Sequence, residues 1–424
     1  MFFRGHSDCL DYIVPDTFNN YSCRQEHNFG DNRGTWAGRG NINDFWENNM
    51  KWGCGVLFLS ALFTAFATLA AAQQGDKQAA PATAPRESGQ IFTKPVLVKG
   101  SPTNLSAFDV SWNDNSAQRY YLADRTNNAI DLVDSATDTF LGFIGRGHYT
   151  GNRPCPGQPK ELRHCAGPNG VVTDNLGHVW AGDGDGNIIE ADAAKPGTDI
   201  IRSIPTGGKG RVDEMSYDPI DHILMVENDG DSPPFLTFIS VIDGSLLGRY
   251  VYPIDQDGME QSVWVRQTGL FYQNVPGKKN RVDVFDPHRL LNPVESFPVE
   301  CTGGLLGLTV SGLTVGPNGR LMTVCGSVGG VAIDSGTGRI RTIIPEGADA
   351  DEVWYDPGSN NYYYSRPGAS EGVAVVNAAA EKFVTNIPLG SHSVAVNASN
   401  KHIFVPVAGK GIFVVAPRKR SVKI

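Results

Sequence analysis

Seven times between Asp109 and His392 the chain repeats one short pattern, a polar residue leading into an apolar run that stops at a turn signal. The pattern reads DVSWND from Asp109, NGVVTD from Asn169, DEMSYD from Asp213, EQSVWV from Glu260, SGLTVG from Ser311, DEVWYD from Asp351 and HSVAVN from His392. Its spacing of roughly forty to sixty residues is the period of propeller blades. Each unit continues with an Asn, Asp, Gly or Pro turn and a second strand-like run, such as RYYLAD, HVWAGD, ILMVEN, LFYQNV, YYYSRP or HIFVPV. A third follows, such as AIDLVDS, NIIEAD, RVDVFDP or GIFVVAP, and in most units a fourth, as in TFLGFIG and RTIIPEG. Apolar and β-branched runs bounded by such turns are the local signature of antiparallel hairpins.

The seventh unit runs out after GIFVVAP, and KPVLVKG (Lys94 to Gly100) precedes the first, so the two ends of the chain can complete one blade. Joining them leaves only short, protected edges. The expected fold is therefore all-β, a seven-bladed β-propeller over residues 89–420 closed by an N-terminal strand. The first unit's long insertion between Cys155 and Cys165 and the short unit at Ser311 keep six and eight blades as alternatives.

Before the repeats stands one membrane-like stretch, CGVLFLSALFTAFATLAAA, from Cys54 to Ala72, just after Met50 and Lys51. A basic start, an apolar run and Ala70-Ala71-Ala72 ahead of Gln73 make residues 50–72 a secretory signal peptide. Residues 1–49, rich in Asn, Gly and Asp, are then expected to be upstream sequence with Met50 the true start; a single membrane anchor is the alternative. Residues 73–88 form an Ala, Pro and Gln linker and residues 421–424 a tail. Of seven cysteines, Cys155, Cys165, Cys301 and Cys325 follow the signal peptide, an even number that suits two disulfides in a periplasmic or secreted protein. Cys155 with Cys165 is the favoured pair. No CxxC occurs, and a net charge of −9 argues against a nucleic-acid partner.

The first residues of the seven units form the candidate site. The innermost strand of each blade opens there, so Asp109, Asn169, Asp213, Glu260, Ser311, Asp351 and His392 should ring one mouth of the central channel, with Glu214, Gln261 and Glu352 directly behind. Every residue of the column is polar. Asp and Asn in such places also serve as Asx turns, the plainer reading for any one of them. The doubled Asp-Glu and the lone His favour a site: carboxylates in one funnel raise each other's pKa or recruit a cation. Oxygen ligands from Asp109, Asn169, Asp213, Glu214, Glu260, Asp351 and Glu352 suit Ca²⁺, Mg²⁺ or Mn²⁺, with His392 as a base. The aromatic residues Trp112, Tyr217, Trp264, Trp354 and Tyr355 fall inside first strands and are expected chiefly to pack between blades, with stacking on a ligand second. DGDGN and NDGDS lack calcium-loop spacing, GGKGR lacks the Walker pattern, and no GxSxG occurs.

HSVAVNASNKHIFVPVAGKGIFVV and AQRYYLADRTNNAIDLVDSATDTFLGFI resemble the repeats of the YVTN/YncE-like periplasmic β-propeller family, with a hydrophobic strand, an Asp/Asn turn, a YVA-like strand and a VID-like strand. The third strand departs to LVD, VFD and AID, and ENDGDSPPFLTF and NVPGKKN are long insertions. The mouth is also similar in kind to SMP-30/gluconolactonase-like propellers, in which a Glu, an Asn and an Asp hold a divalent cation that polarises a lactone carbonyl. That resemblance implies Glu260 or Glu214, Asn169, and Asp213 or Asp351 as ligands, with His392 activating water. Two functions follow as expectations: an exported propeller that binds a small molecule or protein at an acidic channel mouth or, alternatively, a metal-dependent lactonase-like hydrolase or lyase. The membrane is met only transiently, through the signal peptide.

Overall fold

The turn at the end of each innermost strand shows how the repeat folds. The closing Asp or Asn of the motif accepts hydrogen bonds from backbone N–H groups two or three residues on. Asp114 binds Ser116 and Ala117 at 2.8 and 3.0 Å, and Asp174, Asp218, Asp356 and Asn397 bind Leu176, Ile220, Gly358 and Ser399 at 2.8 to 3.0 Å. Each Asx turn reverses the chain into the second strand of its blade. A computed structural model of the chain describes residues 91–155, 165–253, 258–277, 279–301, 310–368 and 372–418. Residues 1–90, with the expected signal peptide and linker, and the tail at 421–424 lie outside the described residues.

Seven four-stranded antiparallel sheets result. Their innermost strands are Ser111–Asp114, Val171–Thr173, Met215–Asp218, Glu260–Val265, Leu313–Val315, Glu352–Asp356 and Ala395–Asn397, which define blades 1 to 7. These strands contact one another in sequence, and that of blade 7 returns to that of blade 1, so the ring closes. Blade 7 takes its outer strand from the N-terminal side: Val96–Leu97 pairs with Gly411–Val415, Val96 opposite Val414 and Leu97 opposite Phe413. Further out, Phe92 bridges to Pro417. The long first unit is one blade with an insertion, and the short unit at Ser311 is a complete blade.

The core is seven wedges, one between each pair of neighbouring blades. In Arg119–Asp124, Tyr120 and Leu122 face the wedge shared with blade 7, while Tyr121 and Ala123 face the wedge shared with blade 2. Side chains alternate sides along a strand, so a strand covered on both faces reads as an unbroken apolar run. The innermost strands approach so closely that a Cβ on Gly170 would lie 2.3 Å from the carbonyl oxygen of Asp213, and one on Gly312 2.6 Å from the amide nitrogen of Val353. Among the described residues two disulfides are formed, Cys155–Cys165 and Cys301–Cys325. Among the described residues, no helix is long and apolar enough to cross a membrane.

Candidate functional site at the central channel

The column of polar residues is a structural register. The amides of Asp109, Asn169, Asp213 and Asp351 donate to the carbonyls of Ala123, Gly182, Glu227 and Ser365 at 2.8 to 3.0 Å, the same step of each inner hairpin. Their side chains converge. Asp351 feels Asp109 and Asp213, Glu260 feels Asp351 and Asp213, and His392 Nδ1 lies 3.9 Å from Asp351 Oδ2. Residues from blades 1, 3, 4, 6 and 7 thus share one funnel.

Two arginines that lie outside the repeat register sit among them. Arg125, at the end of a second strand, pairs with Asp109 and donates to Asn169 Oδ1 from Nε at 3.0 Å and from Nη2 at 2.5 Å. Arg211, two residues ahead of Asp213, pairs with Asp213 at 2.5 Å and with Asp229 at 2.6 Å. Burial pushes Asp213 up to about 7 against the pull of Arg211, with Asp109 adding to the rise. Asp351 also reaches about 7, through burial first and then Asp109 and Asp213. Burial, then carboxylate neighbours, raises Glu214, Glu260 and Glu352 well above the ordinary range.

The twin Asp-Glu pairs play different parts. Glu352 accepts a hydrogen bond from Ser393 Oγ at 2.9 Å, and Ser393 Oγ accepts another from the Ser111 amide at 2.8 Å, so this carboxyl ties blades 6, 7 and 1 together. Glu214 faces the channel below the ring, and among the described residues no group donates a hydrogen bond to its carboxyl. His392 stands edge-on to Phe108, with ring centroids 4.6 Å apart. The oxygens that would ligate a cation at Asp109, Asn169 and Asp213 are engaged by guanidinium groups, and the described residues contain no cluster of three or more His, Cys, Asp and Glu able to hold a metal.

At the far end of the same inner strands the channel widens into a chamber of about 310 Å³. Trp112, Tyr217, Trp264, Trp354 and Tyr355 line it, drawn from blades 1, 3, 4 and 6. These aromatics do pack on the blade wedges, as expected. They also face the chamber, which the expectation ranked second. Trp112 and Trp354 meet edge to face, 5.4 Å apart, although blade 7 stands between their blades. Ala395 occupies the matching position of blade 7, and its single methyl leaves room for that contact. Trp112 Nε1 donates to Thr173 Oγ1 at 3.0 Å, which fixes the indole. Among the described residues, polar groups behind the wall that have no hydrogen-bonding partner include the hydroxyl of Ser216, a residue only 6% exposed, and the buried Nε1 of Trp264. A narrow neck of about 70 Å³, lined by Trp112, Met215, Trp354, Glu214 and Gln261, continues towards the acidic ring.

Similarity to known proteins lies in the fold. One chain of the crystal structure of the mitotic checkpoint complex superposes with a TM-score of 0.57 at 12% identity, over 83% of this chain and 100% of that one. The WD40 β-propeller domain of Doa1 gives 0.57 at 14% identity, over 77% and 97%. No family model and no curated protein matches the chain. At such identity the likeness speaks for the propeller alone, a fold that serves as a scaffold for ligands or partners.

Proposed function

We propose that this protein is an exported small-ligand-binding propeller whose ligand occupies the aromatic chamber of the central channel. The observation that carries the reading is the convergence of Trp112, Tyr217, Trp264, Trp354 and Tyr355 on one cavity of about 310 Å³. Binding pockets of a few hundred Å³ are mostly apolar walls with a few placed polar groups, and here Thr173, Ser216, Ser262 and Thr314 are the small polar residues of the lining. The two disulfides support an oxidising location, periplasmic or secreted. The acidic mouth, first read as the binding surface, is in this account the far opening of the same channel, with Arg125 and Arg211 offsetting part of its charge.

A panel of small aromatics, sugars and amines, scored by thermal shift and tryptophan fluorescence, tests the reading. A compound that raises the melting temperature of the parent protein but not of Trp354→Ala is the expected result. Hits that act equally on both proteins, or none at millimolar concentration, would overturn it.

A further inference from the structure

The chamber and its neck are lined by different chemistries. The chamber wall offers π-faces, while the neck offers a carboxyl: Glu214 lies on the path from the chamber to the ring, and among the described residues it receives no hydrogen bond. Neither lining contains a lysine or an arginine. Arg266 stacks on Trp264 at 5.8 Å but does not line the chamber. The neighbours that act most strongly on Glu214 are acids, namely Glu227, Glu352, Asp213 and Glu260. An anion entering this space would meet Glu214 with no basic residue in the lining itself, and a neutral sugar would leave the field unused. A cation gains twice, because aromatic faces attract positive charge through their quadrupole and a low-dielectric channel strengthens the carboxylate field.

We infer that the ligand of the chamber is an organic cation, a small molecule whose alkylated ammonium group sits against Trp112, Trp264 and Trp354 within reach of Glu214. This rests on the chamber being the binding site and adds the charge of what it takes. Burial first and then acidic neighbours raise the Glu214 carboxyl, and a cation beside it would favour its charged form.

The test compares choline with its neutral isostere 3,3-dimethyl-1-butanol by tryptophan quenching and calorimetry on the full chain, in the parent, Glu214→Gln and Trp354→Ala. Choline binding the parent about tenfold or more tightly than the isostere, weakened by both substitutions, is the expected result. Far-ultraviolet circular dichroism and melting temperature show that each variant is folded, and Trp354→Phe, which keeps an aromatic face, should restore part of the binding. Equal binding of choline and the isostere, lost in Trp354→Ala, would overturn the cation while leaving the chamber in place. Failure of both to bind the parent would overturn the chamber as well.

Discussion

At the scale of single residues, the doubled phrase Asp-Glu, two residues, Tyr-Asp-Pro separates into three roles. The Asp of Tyr-Asp-Pro is turn chemistry, as Asp218 and Asp356 show. The leading Asp, at 213 and 351, faces the channel ring. The Glu differs between copies, with Glu352 bound to Ser393 and Glu214 open to the neck. The ring was legible because it falls at one register in every repeat. Arg125 and Arg211 were not, because they lie outside that register and only folding carries them into it. Raised carboxyls bind protons more tightly in the folded chain than in the unfolded one, so Asp213 and Asp351 favour the fold at low pH. Their contribution is lost as pH climbs from the ordinary value near 4 through about 7. Asp351→Asn mimics the protonated form. Its stability relative to the parent should therefore rise between pH 5 and pH 8, by at most about 1.4 kcal/mol per pH unit, as read by urea unfolding at each pH. A constant difference would show that Asp351 carries no such shift.

At the scale of elements, hairpins were legible from local turn chemistry, and the closing strand from what the seventh unit lacked. The aromatics illustrate what was not. A tryptophan on an inner strand reads as a wedge residue because alternate side chains of that strand face neighbouring blades. Whether it also reaches the lumen depends on side chains at the same level in other blades, such as Ala395 and Ser216, and one strand's pattern does not contain them. The N-terminal closure carries a further expectation. Val98 donates its amide to the Ile412 carbonyl at 2.9 Å, Thr93 to that of Ala416 at 2.8 Å, and Phe92 and Val98 are buried. A chain beginning at residue 102 loses these along with the Val96–Leu97 pairing. It should lose about 5 kcal/mol of stability and about 10 °C in melting temperature, and should associate through the bared edge of Gly411–Val415. Calorimetry with light scattering checks both, and an unchanged melting temperature would mean that the ring closes without this strand.

At the scale of the whole molecule, seven wedges and a ring of short inner strands make a rigid frame whose identity lies in spacing and alternation. That explains how propellers at 12% and 14% identity superpose over most of the chain. The frame leaves one axial channel with two unlike ends: an arginine-laced acidic ring and an aromatic chamber. The central claim is that the chamber receives the ligand, and the indole N–H groups report on it directly. A ¹⁵N–¹H spectrum of the full chain, its indole peaks assigned by Trp→Phe substitution, would be followed as benzyltrimethylammonium is added. Trp112, Trp264 and Trp354 line the chamber, whereas Trp180 is fully buried in a wedge and serves as the internal control. The account predicts saturable shifts of the three chamber indoles with Trp180 unmoved; chamber indoles that stay still while the cation binds elsewhere, or does not bind at all, would contradict it.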